Sequence, residues 1–207
     1  MPKTSLADIQ KARINTAGAY ICLHGLYLFA IGIQLANGRI PVFRLGGHRE
    51  AHETGWQCAV REVYEETNLR ISPLTPLTTY LLPDGDHIEA ELEKIRWQPE
   101  TGQEHIPILV VAYRREGKIL LSLMYLAQTD GVPTPSSEIK GLLLLERKDI
   151  HRLCRAPITL EQYLRSGGKA LLSQEFDQSL ILEPFTQLRL LSRILLVESE
   201  GTTAAYR

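Results

Sequence analysis

Glu62, Glu65 and Glu66 fall within five residues of one another in a chain whose formal net charge is only −1. They belong to the stretch GGHREAHETGWQCAVREVYEETNLRI, Gly46 to Ile71. On an α-helix, positions i, i+3 and i+4 are neighbours, so these three carboxylates share one face and repel one another. Arg61, at i, i+4 from Glu65, relieves only part of that repulsion. A hard divalent cation relieves more. Magnesium takes oxygen ligands, accepts a few carboxylates, and keeps positions for water and for phosphate oxygens. The adjacent glycines let the backbone approach closely, so the Gly47 carbonyl could join such a shell. The competing reading is a solvated helix face, because Glu and Arg are good helix formers.

The spacing decides between the two. The segment matches G-x5-E-x7-R-E-U-x-E-E-x-G-U, where U is apolar, at Gly47, Glu53, Arg61, Glu62, Val63, Glu65, Glu66 and Leu69. At average residue usage such a match arises in about one random chain of this length in a million. In this pattern, residues 47–69, the chain resembles the Nudix hydrolases. Two positions depart from the family's usual residues. Asn68 stands where the family has glycine, a mild change because Asn is the next-best residue for a left-handed helix end. Leu45 stands where many members have proline.

The resemblance implies an α/β class protein with the Nudix fold, an α/β/α sandwich with a mixed β-sheet. It extends over most of the chain and implies one Nudix domain over 1–207, with a helical extension at about 159–198. It also implies a metal-dependent hydrolase that cleaves the pyrophosphate linkage of a nucleoside diphosphate derivative, with Mg²⁺ or Mn²⁺ as cofactor. Carried over by position, Glu62, Glu65 and Glu66 would be metal ligands, with the Gly47 carbonyl beside them. Glu62 is the first choice for general base and Glu66 the second. Arg61 would orient the carboxylates by salt bridges, and Glu53 would support Arg61 or the metal shell. Glu138 precedes an expected strand, where many members supply another carboxylate from a loop. Glu50, His48 and His52 are read as exposed loop residues. Phe43, Tyr80 and Trp97 are read as core aromatics in preference to base platforms.

Substrate signals are thin. Pro83 lies near a position where ADP-ribose-cleaving relatives carry proline, which leans toward ADP-ribose, a nucleotide sugar or a dinucleotide. The alternative function is a Nudix-fold sensor that binds a nucleotide without cleaving it. Such modules usually lose carboxylates of the pattern, and this chain keeps them all. For the leucine-rich carboxyl-terminal helix, core or homodimer packing is a simpler account than a partner-binding surface.

These residues need a frame. Ser5 caps a short helix to about Arg13. Strands are expected at Tyr20–Leu23 and Leu26–Gln34 around a His24-Gly25 turn, with a further extended piece from Ile40 to Leu45 after Asn37-Gly38. Thr54 and Gln57 form a capping box for a helix to about Thr67, with Trp56, Ala59, Val60 and Val63 on its core side. Prolines 73 and 76 suggest a loop, Thr78–Leu82 a strand, and PDGD (83–86) a turn. Residues 87–105 suit strand or helix. Ile106–Tyr113 and Ile119–Ala127 read as a strand pair about Glu116-Gly117, Asp130–Glu138 as a loop, Gly141–Leu145 as a buried strand and Lys148–Leu153 as a helical turn. From Thr159 the pattern becomes helical, broken at Ser166-Gly167-Gly168, and Pro184–Leu196 is the last strong helix.

Composition bounds the rest. The 207 residues are 44% hydrophobic and 23% charged, ordinary for a globular domain. With no long basic run, a large nucleic-acid partner is not expected. Cys22, Cys58 and Cys154 are scattered, so the expectation is a reducing cytoplasm with neither zinc site nor disulfides. The amino terminus has no apolar signal core. Ala17–Ala36 is long and apolar enough to span a bilayer, but its aromatic and β-branched content and the central His-Gly favour a buried hairpin.

Overall fold

The computed structural model describes residues 5–98 and 105–204. Along the chain the elements are α1 (Leu6–Gln10), β1 (Arg13–Leu23), β2 (Leu26–Ile31), β3 (Arg39–Phe43), β4 (Leu45–His48), α2 (Gly55–Thr67), β5 (Ser72–Leu74), β6 (Thr79–Leu82), β7 (Glu93–Ile95), β8 (Leu109–Arg115), β9 (Lys118–Gln128) and β10 (Gly141–Leu145). They continue as α3 (Arg147–Arg155), α4 (Leu160–Arg165), β11 (Lys169–Leu172), β12 (Ile181–Pro184) and α5 (Thr186–Ala204). The chain divides into two compact units. The first comprises residues 1–21, 45–65 and 69–131, and the second residues 22–44, 66–68 and 132–207.

In the first unit the strand order is β1-β9-β8-β6-β7, with β4 pairing β1 and β5 pairing β9. β8 and β9 form an antiparallel hairpin, β6 and β8 run parallel, and β6 and β7 run antiparallel. Glu116 and Gly117 turn the β8–β9 hairpin with φ of 50° and 76°, the positive angles that a tight two-residue hairpin requires. The core gathers Ile9, Ile14, Ala17, Cys58, Ala59, Val110, Leu123 and Tyr125. Trp56 packs against it edge-on, its ring 5.4 Å from Tyr125 and 5.1 Å from His105.

In the second unit β10 pairs antiparallel with β2 and β11, β2 with β3, and β3 runs parallel to β12. Helices α3 and α5 pack on each other, and α5 also packs on β3. Leu188, Leu190, Leu191, Ile194 and Leu195 of α5 are buried within the single chain, so core packing accounts for the leucine-rich helix. Both units show mixed strand pairing combined with helices, the α/β class expected.

Several local expectations change. β1 begins at Arg13, seven residues earlier than expected, because alternating Ile14, Thr16 and small residues extend the pairing. Pro73 sits in β5, a three-residue strand on β9, not in a loop. Within 87–105, β7 is a strand paired to β6, and residues 99–104 lie outside the described residues. The stretch expected to be helical at about 159–198 contains β11 and β12. Both are drawn into extended form by partners remote in sequence, β10 and β3. The apolar run from Ala17 forms β1 and β2, joined by His24 and Gly25 at φ of 50° and 81°. Among the described residues no helix is long and apolar enough to cross a membrane.

Asn68, just after α2, has φ of 57°, so the pattern's glycine position is a left-handed helix end in this chain as well. Asn68→Gly is expected to change stability by less than about 0.5 kcal/mol, whereas Asn68→Val should cost roughly 1–2 kcal/mol. The urea midpoint at constant m-value measures both.

Candidate functional site

The site grows from two glycines within β4, Gly46 and Gly47. Gly46 adopts φ of 135°, a region closed to other residues. Gly47 pairs with Ala17 of β1, and a Cβ at this position would collide with the Glu62 carboxylate. The absence of a side chain at 47 is therefore what gives the Glu62 carboxylate its place.

The loop into α2 is fastened by Arg49. Its backbone N–H donates to the Asn15 carbonyl at 3.0 Å, its Nε donates to the Ile14 carbonyl at 3.1 Å, and its Nη1 donates to the Glu53 carbonyl at 2.6 Å. The Glu50 N–H donates to Glu53 Oε2 at 3.0 Å and its carbonyl accepts from the Glu53 N–H at 3.4 Å, so Glu50 contributes through its backbone while its side chain is exposed. Thr54 and Gln57 then form the expected capping box. The Gln57 N–H donates to Thr54 Oγ1 at 3.2 Å, and the Thr54 N–H donates to Gln57 Oε1 at 2.8 Å.

Arg61, in the middle of α2, is the hub. Its Nε and Nη2 donate to Glu53 Oε1 at 2.7 Å and Oε2 at 3.0 Å, a two-pronged pair. Its Nη1 reaches Glu62 Oε1 at 2.9 Å and Glu65 Oε2 at 3.0 Å, and its Nη2 also donates to the His48 carbonyl at 3.0 Å. One guanidinium thus binds three carboxylates. The hydrogen bond from Arg61 holds the Glu53 carboxyl below the usual glutamate range, and the same bond raises Arg61 further. Side-chain exposure is 17% for Glu53 and 16% for Glu62 but 50% for Glu65, so Glu65 is the carboxylate most open to solvent.

Glu66, one residue on, is largely buried. Its carbonyl accepts from the Ser136 N–H at 2.9 Å, and the Thr67 carbonyl accepts from the Thr134 N–H at 2.9 Å. These two bonds hang the 130–138 loop on the end of α2, so the loop that carries Glu138 is tied to the end of the glutamate helix. Glu138 itself is exposed. Among the described residues no group of three or more His, Cys, Asp or Glu side chains converges tightly enough to hold a metal ion. The donor types nonetheless suit a hard cation: they are carboxylate oxygens on one helix, and the Glu62 carboxylate is seated in the space over the bare Cα of Gly47. In this structure Arg61 engages one oxygen of each of two of those carboxylates, Glu62 Oε1 and Glu65 Oε2.

Two residues had no role in the sequence reading. Arg49 falls at a variable position of the pattern, and nothing in the sequence signals its contacts to β1. Cys58 is fully buried on the inner face of α2, with Sγ 3.8 Å from the Gly47 carbonyl and 3.9 Å from Arg61 Nη2. Burial pushes its thiol up to about 11, so it stays neutral and serves as packing beneath the site. His48 ends β4 and does not lie in a loop. It contributes its carbonyl, and neither its exposed ring nor that of His52 joins the cluster. Tyr80 and Trp97 are core residues, as expected.

Residues 38–105 match the sequence model of the NUDIX domain. No curated protein sequence matches the chain. Among solved structures, the chain is similar to a NUDIX-family hydrolase from Clostridium perfringens at 19% identity, covering 67% of this chain and 83% of that one, with a TM-score of 0.43. It is also similar to an Ap4A hydrolase from C. elegans at 19% identity, covering 67% and 84%, with a TM-score of 0.41. A nudix hydrolase family member from Chromobacterium violaceum aligns over 94% of this chain and 88% of its own, at 17% identity and a TM-score of 0.41. The matched NUDIX segment spans the glycines, Glu53, Arg61 and the three helix glutamates, and it is over this segment that the chain is similar to the NUDIX domain.

Proposed function

We propose that this protein is a metal-dependent pyrophosphohydrolase that uses water to cleave the diphosphate linkage of a nucleoside diphosphate derivative. The observation that carries the reading is the Arg61 hub. The complete carboxylate set of the pattern is present, and Glu53, Glu62 and Glu65 are braced by one guanidinium with the Glu62 carboxylate seated on Gly47. Mg²⁺ or Mn²⁺, when bound, would neutralise charge on the phosphoryl oxygens and lower the pKa of a bound water. Glu62, Glu65 and Glu66 are the residues we assign to hold it, with the Gly47 carbonyl and Glu138 as further donors. Glu62 is our first assignment for the group that takes the water's proton, and Glu66 the second. Arg61 and Glu53 fix the carboxylates in place.

ADP-ribose, a nucleotide sugar and a dinucleotide are the substrates we favour. The single Nudix domain over 1–207 is part of the same reading: the matched segment 38–105 draws residues from both compact units. The test is a panel of nucleoside diphosphate derivatives, dinucleotides and triphosphates, with Mg²⁺ or Mn²⁺, on the wild type and on Glu62→Gln and Glu66→Gln. Turnover of one class that both variants lose supports the proposal. No turnover on any compound, or unchanged turnover in both variants, refutes it.

Gly47→Ala gives a finer check. The added methyl meets only the far end of the flexible Glu62 side chain, so the fold survives while the carboxylate moves. Activity is expected to fall about 100-fold, the scale of an ångström-sized misplacement of a reacting group. Thermal unfolding followed by circular dichroism should stay close to that of the wild type.

A further inference from the structure

Within the second unit, a cleft of about 190 Å³ lies among the end of α3, β12, the start of β3 and the first turn of α5. Arg39, Arg155, Arg189 and Glu183 line it. Glu183 receives Arg39 on one carboxylate oxygen and Arg189, at 3.3 Å, on the other. Arg189 also donates from Nε to the Pro184 carbonyl at 2.9 Å. The clamp on Glu183 ties β3 to β12 and α5, and a single arginine would balance its charge. The second and third arginines are in excess, and three guanidiniums against one carboxylate leave a charge of +2.

Among the described residues the Arg155 side chain makes no hydrogen bond or ion pair, and it is exposed at the end of α3 with its guanidinium fork uncommitted. Arg39 gives one side-chain N–H to Glu183, and Arg189 gives two in all. A guanidinium has five N–H donors arranged to match phosphate oxygens in pairs. The fold therefore uses few of the donors this cleft offers. Its volume holds a group several times a water molecule's share of about 30 Å³. It falls below the roughly 300–1,000 Å³ of pockets that enclose a whole drug-sized ligand. Charge and size together suit a tetrahedral dianion.

We propose that the Arg39–Arg155–Arg189 cleft binds a single phosphate group, either as orthophosphate or as the terminal group of a phosphomonoester. The site shares no residue with the glutamate helix, so it stands or falls apart from the hydrolase reading.

The test is an amide NMR titration of the full-length protein, without divalent metal, using orthophosphate in one arm and ribose 5-phosphate in the other, at constant ionic strength. Saturable shifts are expected at Cys154, Arg155, Ala156 and Leu182. Shifts in both arms assign the bare phosphate as ligand, and shifts with ribose 5-phosphate alone assign the phosphomonoester. Arg155→Ala leaves the Glu183 clamp intact and should weaken binding about tenfold or more, with Arg155→Lys in between. Hydrolysis by Arg155→Ala should equal wild type. No saturable shift at these residues in either arm, or an affinity unchanged in Arg155→Ala, overturns the proposal.

Discussion

Replacing Glu62 by glutamine is expected to lower kcat by about 10²–10⁴-fold while KM changes little, the scale of a lost general base. The variant isolates charge from shape. Glutamine has the size of glutamate, so it still fits over the bare Cα of Gly47, and its amide oxygen can still accept from Arg61 Nη1, as Glu62 does at 2.9 Å. What it lacks is the negative charge to take a proton or to hold a cation. Glu50→Gln is the matched control, because that side chain is exposed and the bonds between Glu50 and Glu53 use the Glu50 backbone. It should turn over at the wild-type rate. Steady-state kinetics on the best substrate of the panel decides the matter. A Glu62→Gln enzyme that keeps more than about a tenth of wild-type kcat would remove Glu62 from the chemistry and move the assignment to Glu66.

The second large effect is on Arg61. Arg61→Ala leaves Glu53, Glu62 and Glu65 facing one another without their shared counter-charge. We expect a loss of roughly 3 kcal/mol, near the lower end for breaking a buried ion pair. The lower end applies because the Arg61 side chain retains 23% exposure. Activity should drop at least about 100-fold, as the carboxylates lose their geometry. Arg61→Lys should recover little, since a single ammonium cannot reproduce the two-pronged bond to Glu53 and at the same time reach two further carboxylates.

The effect carries a pH signature. Arg61 depresses the Glu53 carboxyl, so the stabilisation it lends is present above the unfolded glutamate value of about 4.3 and fades as pH falls through the lower folded value. The stability gap between wild type and Arg61→Ala is therefore widest near neutrality and narrows on the acid side. Urea unfolding of both proteins at a series of pH values measures it. A gap that stays constant down to acid pH would show that Arg61 acts through packing alone.

How far these features could be read from the sequence depended on how local their causes are. The capping box at Thr54, the turns at His24-Gly25 and Glu116-Gly117, and the left-handed end at Asn68 are set by a few neighbouring residues, and the structure places each as expected. Arg61, Glu62 and Glu65 were legible together because helix periodicity fixes which side chains meet, whereas Glu53, which precedes α2, entered through the resemblance. Arg49 was not, because its partners Ile14 and Asn15 are brought to it by strand pairing. Residues 169–172 and 181–184 were absorbed into a helical pattern for the same reason. Nothing in KALL or ILEP insists on a strand until β10 and β3 offer an edge. Cys58 was passed over because a lone cysteine carries no spacing signal, although its place beside Ala59 on the inner face of α2 marks it as core.

The parallel pair of β3 with β12 has a consequence for biosynthesis. Ile181 pairs with Arg39, so the two strands leave the ribosome separated by most of the chain. Until β12 arrives, β3 has β2 on one side only, and its other edge presents unpaired N–H and carbonyl groups. The first unit, whose last residue is 131, can collapse while that edge is still waiting. Such long-range parallel closure is slow. A translation stall or a premature stop before residue 181 thus releases a product with an open strand edge, a natural client for a chaperone and a seed for aggregation.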